Sequence, residues 1–150
     1  MAIEQHSKDE FYMKMAMAEA RKALVADEVP IGAVVVCGDM VVGRGHNMTE
    51  SLGDVTAHAE MQAITAAAAT LGGKYLTECT LYVSVEPCLM CAGAIGWSQI
   101  RRVVYGASDP KRGYAVQMCR SPFHPKAEVV SGVMEDECGR LVRDFFAKKR

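Results

Sequence analysis

Stretches with apolar positions near helical spacing alternate along this chain with short, nearly continuous apolar runs. Between Lys8 and Ala26, apolar side chains at Phe11, Met15, Ala18 and Val25 fall near helical spacing, which predicts an amphipathic first helix stopping before Pro30. Ile31 to Cys37, then Gly38-Asp39, then Met40 to Gly45 predicts a hairpin closed by a two-residue turn with glycine first. A second helix is expected from Asp54 or Thr56, both competent N-caps, to Gly72-Gly73, with Met61, Ile64, Ala68 and Leu71 as its apolar stripe. Thr80 to Val85 reads as a strand. Cys88 to Trp97 reads as a nearly wholly apolar, buried helix in which Gly93 and Gly96 permit close packing. Arg102 to Tyr105 and Glu128 to Val130 add short strands, and Met134 to Lys149 a last helix with Cys138, Leu141, Val142 and Phe145 inward. Strands alternating with helices predict an α/β layered fold, and with no linker or repeat a single domain over residues 1–150 is expected.

Composition narrows the class. Half of the 150 residues are hydrophobic, enough for one sizeable core, yet no apolar run approaches the roughly 20 residues of a membrane helix. The first ten residues carry Glu4, Asp9 and Glu10 rather than the basic start and apolar stretch of a signal peptide, so a cytoplasmic protein with no membrane partner is expected. A net charge of −1 conceals an asymmetry: residues 1–60 hold 10 acidic and 5 basic side chains, whereas 101–126 hold 6 basic and 1 acidic. A second basic block spans 140–150, and the two blocks make one anion-facing surface if the fold joins them. The six cysteines are too few and too unevenly spaced for a disulfide framework; Cys37, Cys79, Cys119 and Cys138 are expected to act as small buried hydrophobes.

Cys88 and Cys91 are different. Three apart at a predicted helix start, their sulfurs share one face, and free backbone N–H groups there favour thiolates; Pro87 has no N–H to leave unpaired. A helix-start Cys-x-x-Cys is also a redox geometry, so the pair alone is ambiguous. His58-Ala59-Glu60 resolves it. This triplet also falls at a predicted helix start, so two N-termini meeting would place one imidazole and two thiolates around a zinc ion, one per chain, with Glu60 beside it. Three protein ligands and a free carboxylate are the inventory of a catalytic rather than a closed structural zinc. The metal activates water, and Glu60 carries one of its protons to a substrate ring nitrogen and the other to the leaving amine, which is hydrolytic deamination.

At these residues the chain resembles the cytidine deaminase superfamily, and more closely the bacterial tRNA-specific adenosine deaminases. The resemblance runs through Glu28 to Val34, Gly45-His46-Asn47, Thr56 to Glu60, Leu81 to Cys88, Met90 to Ile95 and Val103 to Ala107, and again from Val130 to Phe146. It implies a three-layer fold with a mixed sheet flanked by helices and the zinc at two helix N-termini. It also implies that Asn47 and the Ala59 backbone bind the flipped base, that Asp109 and Lys111 meet the backbone of a tRNA anticodon stem-loop, and that the chain forms a homodimer. Read without the resemblance, Asn47 is a turn or cap residue. His46 is given no role. Histidine as first ligand argues against the small free-cytidine deaminases; guanine and cytosine deaminases share the zinc motif and remain the alternative. The chain departs from the family at Ser98-Gln99-Ile100 and in a shorter segment from Gly113 to Lys126, with Phe123-His124-Pro125-Lys126 where an Asn-His pair is usual.

Overall fold

In the computed structural model, which describes residues 2–149, the period-two alternation of the strands sorts the core into two layers. The strands are β1 (Gly32–Cys37), β2 (Met40–His46), β3 (Cys79–Val85), β4 (Arg102–Ala107) and β5 (Glu128–Val130). They form one sheet in the order β2-β1-β3-β4-β5, with β1 antiparallel to β2 and β3, and β3, β4 and β5 parallel. Ala33, Val35, Leu81, Val83, Val103 and Tyr105 face one side, where α3 (Ala59–Leu71) and α4 (Leu89–Trp97) pack. Val34, Val36, Tyr82 and Val104 face the other, under α1 (Ala2–Val25) and α6 (Glu135–Lys149). Two short helices, α2 (Thr49–Leu52) and α5 (Tyr114–Gln117), lie in the connections. The fold is therefore the mixed α/β three-layer arrangement expected. The β1–β2 turn holds two residues, with Gly38 at φ 64, a left-handed angle that glycine adopts without strain.

The inner face of α1 is rotated from the expected one. Phe11 and Val25 are 60% and 90% exposed and Ala18 is exposed; Tyr12, Met13, Ala16, Met17, Ala20 and Ala23 are buried instead. The true stripe includes Asp9, which a hydrophobic pattern reads as outward. Its carboxylate accepts both Arg102 Nη groups, at 2.7 and 2.8 Å, and the Tyr82 hydroxyl at 2.9 Å. Burial raises the Asp9 carboxyl, but the hydrogen bonds from Arg102, Tyr82 and Gln5 outweigh it and hold it below its ordinary value.

Helix α3 starts later than expected because Asp54 caps a turn rather than the helix: its Oδ1 accepts the Thr56 N–H at 2.8 Å and the Thr56 hydroxyl at 2.7 Å. Its buried face is Ala59, Ala63 and Ala67; Met61, Ile64 and Ala68 are half-buried and Leu71 is exposed. The reason is β2, where a Cβ at Gly43 or Gly45 would collide with the Ala63 or Ala59 carbonyl oxygen, so small faces small. Helix α4 is only half buried, with Leu89 and Trp97 exposed. Gly96 does pack tightly, against the Pro122 carbonyl, whereas Gly93 meets open space.

The basic blocks meet in part. Lys111, Arg112 and Arg143 line one groove with Phe146, but Arg102 is turned inward to Asp9 and Glu128, and Lys149 pairs with Asp27 at 2.7 Å.

Candidate metal and catalytic site

The N-termini of α3 and α4 meet at one end of the sheet. His58 and Cys88 stand at the two N-cap positions with extended backbones, and neither side chain caps its own helix. Both therefore point into the space between the helices. His58 Nδ1 lies 3.5 Å from Cys88 Sγ and 3.4 Å from Cys91 Sγ, and the three donor atoms fall within 4.8 Å of one another. Zinc bonds of about 2.3 Å to sulfur and 2.0 Å to nitrogen at a tetrahedral angle require an N···S separation of about 3.5 Å, so the donor set fits this ion. His46, next to the hairpin end, is not part of it and instead contacts Glu19 at 3.4 Å.

Glu60, two residues into α3, is 4% exposed, and burial pushes its carboxyl up to about 7. The hydrogen bond from Cys91, and after it that from His58, lowers the Cys88 thiol to about 4. The same contact with Cys88, together with burial and the Glu60 charge, pushes Cys91 far above its ordinary range, while the bond to Cys88 raises His58. Both sulfurs and the imidazole thus crowd one point, which a divalent cation would occupy.

Glu60 and Cys88 form part of the lining of a cavity of about 420 Å³, with Asn47, Ala59, Asp109 and Arg112 around it. One wall is α2. Met48 at its N-cap provides no side-chain bond, and Glu28, 1% exposed, caps the helix from a distant loop. Its carboxylate accepts the Glu50 N–H at 3.1 Å, the Ser51 N–H at 2.6 Å and the Ser51 hydroxyl at 2.6 Å. Asn47 Oδ1 accepts the Thr49 N–H at 3.3 Å, so Asn47 is both a local cap and a cavity residue, and its amide nitrogen remains as a donor.

The opposite wall is the loop after β4. Asp109 Oδ1 accepts the Lys111 and Arg112 N–H groups, both at 3.0 Å, which closes the loop on itself. Glu86 in turn accepts the Asp109 and Ala115 N–H groups at 3.0 Å. Lys111 is exposed and lies in the adjoining groove rather than in the cavity. Sequence reasoning gave no role to Glu28 or Glu86 and placed Arg112 only within the basic stretch, yet all three shape this space. Among the remaining cysteines, Cys79 and Cys138 are buried as expected, but Cys37 is half-buried, facing Cys79 across β1 and β3, and Cys119 is exposed.

Residues 6–107 match the cytidine and deoxycytidylate deaminase zinc-binding region. The tRNA-specific adenosine deaminase of Bacillus subtilis is 46% identical over 148 residues, covering 96% of this chain and 92% of that protein. A structure solved in work on A-to-I editing by tRNA:A34 deaminases at the wobble position of transfer RNA superposes with a TM-score of 0.80. It is 42% identical and covers 87% of this chain and 98% of that one. The guanine deaminase of Nitrosomonas europaea has a TM-score of 0.78 at 26% identity, covering 92% of this chain and 84% of that one.

Proposed function

The chain belongs to the cytidine and deoxycytidylate deaminase family and is a zinc-dependent hydrolytic deaminase, and from that premise we propose that it converts adenosine to inosine at the wobble position of a tRNA anticodon. The observation that carries the substrate is the continuity of the cavity with the Lys111, Arg112 and Arg143 groove through Asp109 and Arg112, which line both. A free base has no group to place in the groove. A single-stranded anticodon loop supplies phosphates for the groove and an unpaired base that costs little to turn inward.

His58 Nδ1, Cys88 Sγ and Cys91 Sγ hold the zinc. When bound, the ion supplies the Lewis acidity that makes water nucleophilic near neutral pH. Glu60 is the proton carrier: its carboxylate accepts one proton from the attacking water and delivers it to the ring nitrogen next to the reacting carbon, then takes the second from the hydroxyl now on that carbon and gives it to the amino group, so that the C–N bond breaks, the carbonyl forms and ammonia leaves. A buried carboxyl raised to about 7 exchanges protons in both directions near neutral pH. The Asn47 amide nitrogen donates to an acceptor on the base, and the Ala59 backbone lies beside it. Asp109 shapes the loop that offers Lys111 and Arg112 to the RNA backbone.

The working unit is a cytoplasmic homodimer. The exposed Leu89 and Trp97 of an otherwise apolar α4 support an interface there, and no helix among the described residues is long and apolar enough to cross a membrane. The test of substrate is to supply zinc-loaded protein separately with a wobble-adenosine stem-loop, free guanine and free cytosine, following ammonia release. Release from the stem-loop alone is expected; release from a free base alone would overturn the RNA assignment while leaving the zinc chemistry in place.

A further inference from the structure

Glu86 belongs neither to the metal set nor to the proton path, yet it is 6% exposed and both carboxylate oxygens are engaged. Oε1 takes the N–H of Asp109, where the loop leaves β4, and Oε2 takes the N–H of Ala115, in the first turn of α5. Between these two anchors, the Pro87 carbonyl accepts the Tyr114 N–H at 2.9 Å and Cys88 forms an isolated bridge with Gly113. Gly113 has no room for a side chain, because a Cβ there would run into the Glu86 carboxylate. The loop is stiff within, since Asp109 Oδ1 already closes it on Lys111 and Arg112. The segment Glu86-Pro87-Cys88 therefore carries one metal ligand and also fastens both ends of the loop that faces the substrate.

We propose that Glu86 is a positioning residue whose carboxylate sets the placement of the Asp109–Arg112 loop over the metal site, and so controls how tightly the substrate RNA is held. The inference rests on the RNA reading above. Two negatively charged oxygens satisfy two N–H donors at once. Glutamine keeps one acceptor and turns its NH₂ toward the other N–H, donor against donor, so one end of the loop is released while the volume is unchanged.

The test compares zinc-loaded wild type and Glu86→Gln on a wobble-adenosine stem-loop, with kcat and KM resolved, zinc content by elemental analysis, and amide exchange at Asp109 and Ala115 by NMR. Gly113→Ala, which pushes on the same contact from the loop side, is the second variant. The expected result in both is a KM raised about tenfold with kcat lowered no more than about threefold, zinc content unchanged and exchange accelerated. An unchanged KM despite faster exchange would overturn the proposal. So would a joint fall of zinc content and kcat at constant KM, which would make Glu86 a support for Cys88 only. Wild type that leaves the stem-loop untouched would instead sink the RNA reading and this inference with it, a result distinct from failure in the variants alone.

Discussion

Replacing His58 with alanine removes the nitrogen that stands 3.5 and 3.4 Å from two sulfurs and leaves a two-ligand site. Zinc content by elemental analysis should fall well below one per chain, and full occupancy would contradict the ligand set. Asp9 allows a sharper test of stability. Asp9→Asn leaves the half-buried Arg102 guanidinium without its bidentate partner and should cost about 3 kcal/mol in denaturant unfolding. The pH dependence has a definite sign. The folded pKa of Asp9 lies below its ordinary 3.8, so the ion pair contributes above that pH and its contribution is lost as the pH falls further, a loss the asparagine variant should lack. At this scale the sequence is legible where residue type and spacing go together: His58, Cys88 and Cys91 do converge, and Glu60 does lie buried beside them. It is silent where a carboxylate serves backbone N–H groups far along the chain, as Glu28 does for Glu50 and Ser51, because a backbone donor carries no residue identity.

Elements, more than single contacts, place the metal ligands. Helix α3 brings His58 and Glu60 to the site by lying flat on β2, and that approach depends on Gly43 and Gly45 facing Ala63 and Ala59. Gly45→Ala should lower stability by about 2 kcal/mol and reduce zinc occupancy too, because the Cβ pushes on the first turn of α3. A variant with normal zinc content and melting would show that the approach is not needed. The apolar runs of β1, β3 and β4 and the inward face of α6 were readable because apolar identity and burial agree there. The faces of α1 and α3 were not: one buries a carboxylate, and the other buries alanines while its larger apolar residues lie at the edge. The start of α3 was hidden by Asp54, whose capping oxygen serves a turn just upstream.

The whole molecule joins a metal site, a cavity and a cationic groove on one side, and leaves Leu89 and Trp97 of α4 uncovered. Trp97→Arg should convert the proposed dimer to a monomer in sedimentation, and a variant that sediments like wild type would remove α4 from that interface. Whether the two basic blocks meet was beyond the reach of sequence, since it depends on α6 crossing the sheet beside the loop after β4. The most direct test of the account measures inosine at the wobble position of an anticodon stem-loop after incubation with wild type and with Glu60→Gln, each carrying one zinc per chain. Inosine at that position is expected with wild type and none with the variant; equal conversion by both, or none by either, would contradict wobble editing through Glu60.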